Sequence, residues 1–139
     1  SKLLSEIENI YGEKNIKASV AVISGYDAQR SIITNLIQPN DNKKWKNLKI
    51  QINNVDAFQG SESDIAIYSI VRNNSKGKIG FLDDARRLNV ALSRGKTCLI
   101  LVGDAKFAER ARVIGRNPFV DVIDFIRNYP NNCLLEDLR

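Results

Sequence analysis

The segment LKIQINNVDAFQGSESDIAIYSIV, residues 48–71, holds two apolar runs separated by a polar stretch. LKIQI (48–52) alternates apolar and polar residues, the pattern of a strand with one face on a core. DIAIYSIV (64–71) is short, apolar and rich in β-branched residues, which predicts a buried strand. Between them, VDAFQGSE (55–62) sets an acid, an aromatic, a glutamine, a glycine and a second acid almost in succession. A packed core has no need of that order, whereas a turn shaped to grip a ligand has a use for it.

Working outward, SVAVIS (19–24) is another short apolar, β-branched run, ended by Gly25. Residues 26–38 then carry Ile32, Ile33, Leu36 and Ile37 at helical spacing and stop before Pro39. KLLSEIENIY (2–11) spaces Leu3, Leu4, Ile7 and Ile10 as an amphipathic helix, and PNDNKKWKN (39–47) is a turn-rich surface loop. Beyond residue 71, NNSKGKIG (73–80) reads as a loop. DDARRLNVALSRG (83–95) reads as a helix with acids at its front and Gly95 at its end, and TCLILVG (97–103) as a fully apolar strand. Helices are expected over 105–112 and 118–128. Such alternation predicts an α/β layer fold with a mainly parallel sheet flanked by helices. In these sheets ligands bind outside the carboxyl ends of the strands. SGYDAQR (24–30), VDAFQGSE and VRNN (71–74) each follow a strand, so one site assembled from several loops is expected.

Composition narrows the chemistry. The chain has 139 residues, 43% hydrophobic and 27% charged, which fits one globular domain. Lys and Arg total 21 against 16 Asp and Glu, a net charge of +5 that permits a polyanionic partner without demanding one. With no histidine, histidine bases and histidine metal ligands are excluded. Cys98 and Cys133 have no CxxC partner; Cys98 is expected in the core, and a reducing, intracellular setting (cytoplasm or nucleus) is expected. No signal peptide is seen and no apolar run reaches the roughly 20 residues of a membrane span. A chain starting at Ser1 without an initiator Met reads as a fragment of a larger protein. Arg110, Arg112, Arg116 and Arg127 make the tail after Gly103 basic, whether as solvated surface, a nucleic-acid contact or packing on another domain.

Several side chains admit both a structural and a functional reading. Arg94 ends a helix and fits either the macrodipole or phosphate oxygens. Arg30 lies near a helix N-terminus, where a cation is disfavoured unless an anion joins it. Tyr26 caps the core or stacks on a base, and the Gln29 amide both donates and accepts. Gly60 allows a tight turn and close approach of a ligand. Glu62 can accept from ribose hydroxyls, and Phe58 reads as a core plug rather than a base stacker.

Taken together, SGYDAQR, VDAFQGSE and GKIGFLDDARRLNVALSRGK resemble, in order and spacing, motifs IV, V and VI of superfamily 1 helicases. The wording is similar to the second RecA-like domain of their UPF1-like branch. The resemblance covers about residues 18–105, and GFLDDARRLNVALSR (80–94) is its most specific block. It implies a three-layer RecA-like fold related to the P-loop NTPases. Residues 1–139 would then form a single C-terminal domain of an ATP-dependent DNA or RNA helicase. It further implies Arg94 as an arginine finger on the γ-phosphate of ATP and Arg30 as a second γ-phosphate contact. Tyr26 would lie by the base with Gln29 beside it, and Glu62 on the ribose with Gly60 giving close approach. Asn54, Asp56, Gln59, Arg72 and Asn89 would serve nucleic acid or its coupling to ATP. The sequence departs from the family at Asn54, Ser61, Gly25 and Ser93-Arg94-Gly95, which bears on nucleic-acid contacts near Asn54 more than on ATP.

No GxxxxGK[ST] phosphate loop is present. Gly95-Lys96-Thr97 lacks the earlier glycine and leads from helix into strand, the reverse of a phosphate loop. An acidic Walker B strand is not found either. The resemblance places both in a first RecA-like domain, along with the Mg²⁺ ligands. The chain would therefore supply half of an ATP site, inactive alone, with that domain and single-stranded nucleic acid as partners and no membrane. The alternative is a catalytically inactive RecA-like module that binds nucleic acid or protein.

Overall fold

The computed structural model describes residues 2–70 and 84–136. Among these residues four strands form an all-parallel sheet in the order β2-β1-β3-β4. They are β1 Ala18–Ser24, β2 Leu48–Asn53, β3 Ser63–Ser69 and β4 Gly95–Val102. Helices α1 Lys2–Glu13 and α2 Asp27–Ile37 precede β1 and β2, and α3 Ala85–Leu92 precedes β4. A short 3-10 turn, Asp56–Phe58, lies between β2 and β3, and α4 Ala105–Arg110 and α5 Pro118–Asn128 end the chain. This mixed α/β architecture, a parallel sheet flanked by helices, is that of a RecA-like P-loop NTPase domain. Arg72 and the loop at 73–80 lie outside the described residues.

Alternation along the strands makes the layers. Ala21 and Ile23 of β1 join one apolar cluster with Val55, Phe58, Tyr68 and Leu88, to which α4 and α5 add Phe107, Phe119 and Ile123. Val20 and Val22 face the other way, with Leu4 of α1, Ile37 of α2, Trp45, Leu48 and Ile50. Two polar clamps fix this frame. The Asp64 carboxylate accepts from the Ser19 amide and hydroxyl, both at 2.7 Å, tying β3 to β1 at their amino ends. The Glu8 carboxylate accepts from the backbone amides of Lys46, Asn47 and Leu48, holding α1 to the start of β2. Buried Trp45 donates its indole N–H to the Ile37 carbonyl at 2.9 Å, anchoring the loop predicted as surface.

Two sequence expectations change, and one holds. β4 is apolar, yet among the described residues it is an edge strand and residues 96–98 are exposed. Cys98 is therefore exposed rather than in the core. The protein atoms that do surround its thiol still push its pKa up. The basic tail is integral to the domain, because Phe107, Ala108, Phe119 and Ile123 are buried in the first cluster. Two of its arginines find local acids, Arg116 with Asp121 and Arg127 with Glu109. Gly95, Lys96 and Thr97 open β4, so this Gly-Lys-Thr is extended backbone and no phosphate loop.

A candidate nucleotide edge and its opposite

Parallel strands give the sheet two chemically distinct edges. Arg94 immediately precedes β4 and Glu62 immediately precedes β3, so both lie at the amino edge. The Ser63 amide donates to the Arg94 carbonyl at 2.9 Å, which holds the two approaches together. The Arg94 guanidinium reaches across: its Nη1 donates to the Ser61 carbonyl at 2.8 Å and to the Phe58 carbonyl at 3.3 Å. Nε donates to the Val90 carbonyl at 2.8 Å and Nη2 to Ser93 Oγ at 3.1 Å. Gly60 turns the chain here with φ of 76°, and nothing lies within 4 Å of the place a Cβ would take. Gln59, Gly60, Ser61 and Glu62 are all exposed. A cation, an open glycine turn and a solvated carboxylate thus share one edge. That set suits phosphate oxygens and sugar hydroxyls.

Tyr26, Gln29 and Arg30 follow β1 and stand at the carboxyl edge. Tyr26 is the residue before α2 and Arg30 lies in its first turn; all three are partly buried. Arg30 Nη1 donates to the Ser24 carbonyl at 3.1 Å, and its other nitrogen pairs with Asp27. Ser24 Oγ is itself buried and without a hydrogen-bond partner among the described residues. A groove of about 480 Å³ at this edge is lined by Asp27, Arg30, Ser31, Thr34, Asn35 and Ile52. Strands of seven residues separate this edge from the amino edge by roughly 20 Å. The residues of the expected single site therefore fall on two edges of the sheet. Arg94 and Arg30 are anchored on opposite edges, and the domain does not bring them to one phosphate.

Residues 54–62 join the edges. β2 ends at the carboxyl edge and β3 begins at the amino edge, so the connection descends the full height of the sheet. Asn54 Oδ1 accepts from the Ala57 amide at 3.0 Å and opens the 3-10 turn. Val55 and Phe58 are buried, so Phe58 is a core plug as expected. Asp56 pairs with Arg87 of α3 at 3.9 Å, partway down. Asn89 is exposed on α3. Among the described residues, no group of three or more Asp, Glu, Cys or His converges as a metal site would require.

A family profile described as "AAA domain" matches residues 1–106. The chain belongs to that AAA domain family. Curated relatives agree with it. A "Regulator of nonsense transcripts 1 homolog" of Neurospora crassa is 46% identical over 90 residues, covering 64% of this chain and 8% of its own. The "DNA polymerase alpha-associated DNA helicase A" of Saccharomyces cerevisiae is 41% identical over 104 residues, 75% of this chain and 15% of its own. A "Probable helicase MAGATAMA 3" of Arabidopsis thaliana is 38% identical over 96 residues, 69% of this chain and 12% of its own. The AAA domain chain thus spans only a small part of the relatives it matches. None of its helices, among the described residues, is long and apolar enough to cross a membrane.

Proposed function

We propose that this AAA domain is the C-terminal RecA-like half of an ATP-dependent helicase or translocase acting on single-stranded nucleic acid. The observation that carries the reading is the amino edge, where Arg94, Gly60 and Glu62 are brought together by the β3–β4 pairing. The resemblance to motifs V and VI and the relatives named as helicases support it. ATP with Mg²⁺ supplies the phosphoryl transfer, and a first RecA-like domain of the same polypeptide supplies the phosphate loop and Mg²⁺ ligands.

The roles of this chain's residues follow from its chemistry. Arg94 forks its N–H donors toward the γ-phosphate and stabilises charge as it develops. Glu62 accepts from the ribose, and Gly60 keeps the approach open. At the other edge, Tyr26, Gln29, Arg30 and Asn54 face the nucleic acid: an aromatic face, an amide and a guanidinium suit a base and a phosphate backbone. Asp56 and Gln59, on the segment joining the edges, couple the two. Asn89 and Arg72 keep their place in this reading as nucleic-acid or coupling residues, and Tyr26, Gln29 and Arg30 are moved from ATP to the strand.

The test is ATP hydrolysis by the full-length protein, with and without single-stranded DNA or RNA, in wild type and Arg94→Ala. Strand-stimulated hydrolysis that falls by about 10³-fold or more in the variant supports the reading. Equal hydrolysis in both sinks the finger assignment. No hydrolysis in either makes the domain a binding module.

A further inference from the structure

Resting on the reading of Arg94 as the finger, we propose that the same guanidinium is a latch that holds the coupling segment until nucleotide takes it away. Arg94 is not extended toward solvent. Among the described residues four hydrogen bonds engage it, and two of their acceptors, the Phe58 and Ser61 carbonyls, belong to the segment joining the edges. The Phe58 carbonyl is the hub of that turn, since it also accepts from the Ser61 amide and hydroxyl, both at 3.1 Å. A guanidinium cannot keep this geometry and also present its fork to a phosphate group. Moving to the phosphate frees the Phe58 and Ser61 carbonyls. The turn they hold is continuous with Asp56 and Asn54, which lead back to the carboxyl edge. Nucleotide at one edge is thereby read at the other.

Arg30 makes the contrast. Its acceptors, Ser24 and Asp27, lie six and three residues away, at the end of the preceding strand and on its own helix. Among the described residues, releasing it loosens nothing distant. Arg94 bonds across 33 and 36 residues, so its release does.

The test uses the full-length protein and two readouts. The first is amide hydrogen exchange over residues 55–63 without nucleotide. Arg94→Ala and Arg94→Lys are both expected to speed exchange at Gln59 and Ser61 by about tenfold, with Arg30→Ala unchanged and β1 and β3 peptides steady. Should Arg94→Ala unfold the domain, seen as exchange throughout β1 and β3, the lysine variant gives the answer. Wild-type exchange at Gln59 and Ser61 in the folded variants overturns the latch. The second readout is ATPγS affinity of Ser93→Ala, which removes one latch acceptor and keeps the arginine. About two- to fivefold tighter binding is expected, because less is given up when Arg94 moves. Unchanged or weaker binding shows that Arg94 does not exchange these partners. A wild-type protein that binds no ATPγS defeats the nucleotide reading itself, while the exchange experiment still judges the latch.

Discussion

Gly60 holds φ of 76° with open space where a Cβ would stand, so an alanine there meets backbone strain and no clash. Gly60→Ala is expected to destabilise by about 1–2 kcal/mol, the cost of a left-handed conformation for an L-residue, measured by urea unfolding. Ser24 offers the opposite case. Its buried hydroxyl finds no acceptor or donor among the described residues, so it bears a desolvation cost with no bond in return. Ser24→Ala is expected to leave stability unchanged or raise it by about 1 kcal/mol, read as an unchanged or higher midpoint. A clear loss would mean the hydroxyl has a partner. At this scale the sequence was legible where a residue type has one use. The Gly60 turn and the Phe58 plug could be read directly. Cys98 could not, because an apolar run in a central strand and one in an edge strand have the same composition.

Among elements, the β1–β3 pairing is fixed by a carboxylate as well as by its ladder. Two hydrogen bonds from Ser19 hold Asp64 below its ordinary pKa of 3.8. The folded form is the one with the depressed value. The contribution is therefore complete above about pH 4 and is lost as pH falls from there through the folded pKa. Asp64→Asn is expected to lower stability at neutral pH and to flatten the acid limb below pH 4, checked by thermal unfolding across pH 2–7. An unchanged acid limb would mean that other carboxylates govern it. The joining segment between β2 and β3 depends instead on burial. Phe58 is 4% exposed, and Phe58→Ala should cost about 3–5 kcal/mol, with faster exchange spreading through residues 54–62. The helices of the tail show what periodicity alone concealed. Phe119 and Ile123 stand four apart on α5, a core-facing signal outweighed in the sequence by the visible arginines.

For the whole molecule, the two edges predict separable defects. Arg94→Ala should abolish turnover while the protein still binds single strands. Arg30→Ala should weaken strand binding and reduce its salt dependence by about one unit of slope, with nucleotide affinity retained. Fluorescence binding of a labelled single strand across salt concentrations separates them. Loss of ATPγS affinity in Arg30→Ala would return that arginine to the nucleotide.

The sequence by itself determined the order of elements and the parallel α/β class, because strand and helix periodicity are local. Only the tertiary structure decided which of the candidate residues meet. In a parallel sheet, a residue before a strand and a residue after one stand on opposite edges, however similar their loops appear in one dimension. The same holds for burial. Whether an apolar strand is covered depends on the neighbour it pairs with, and β4 has its pairing partner on one side alone among the described residues.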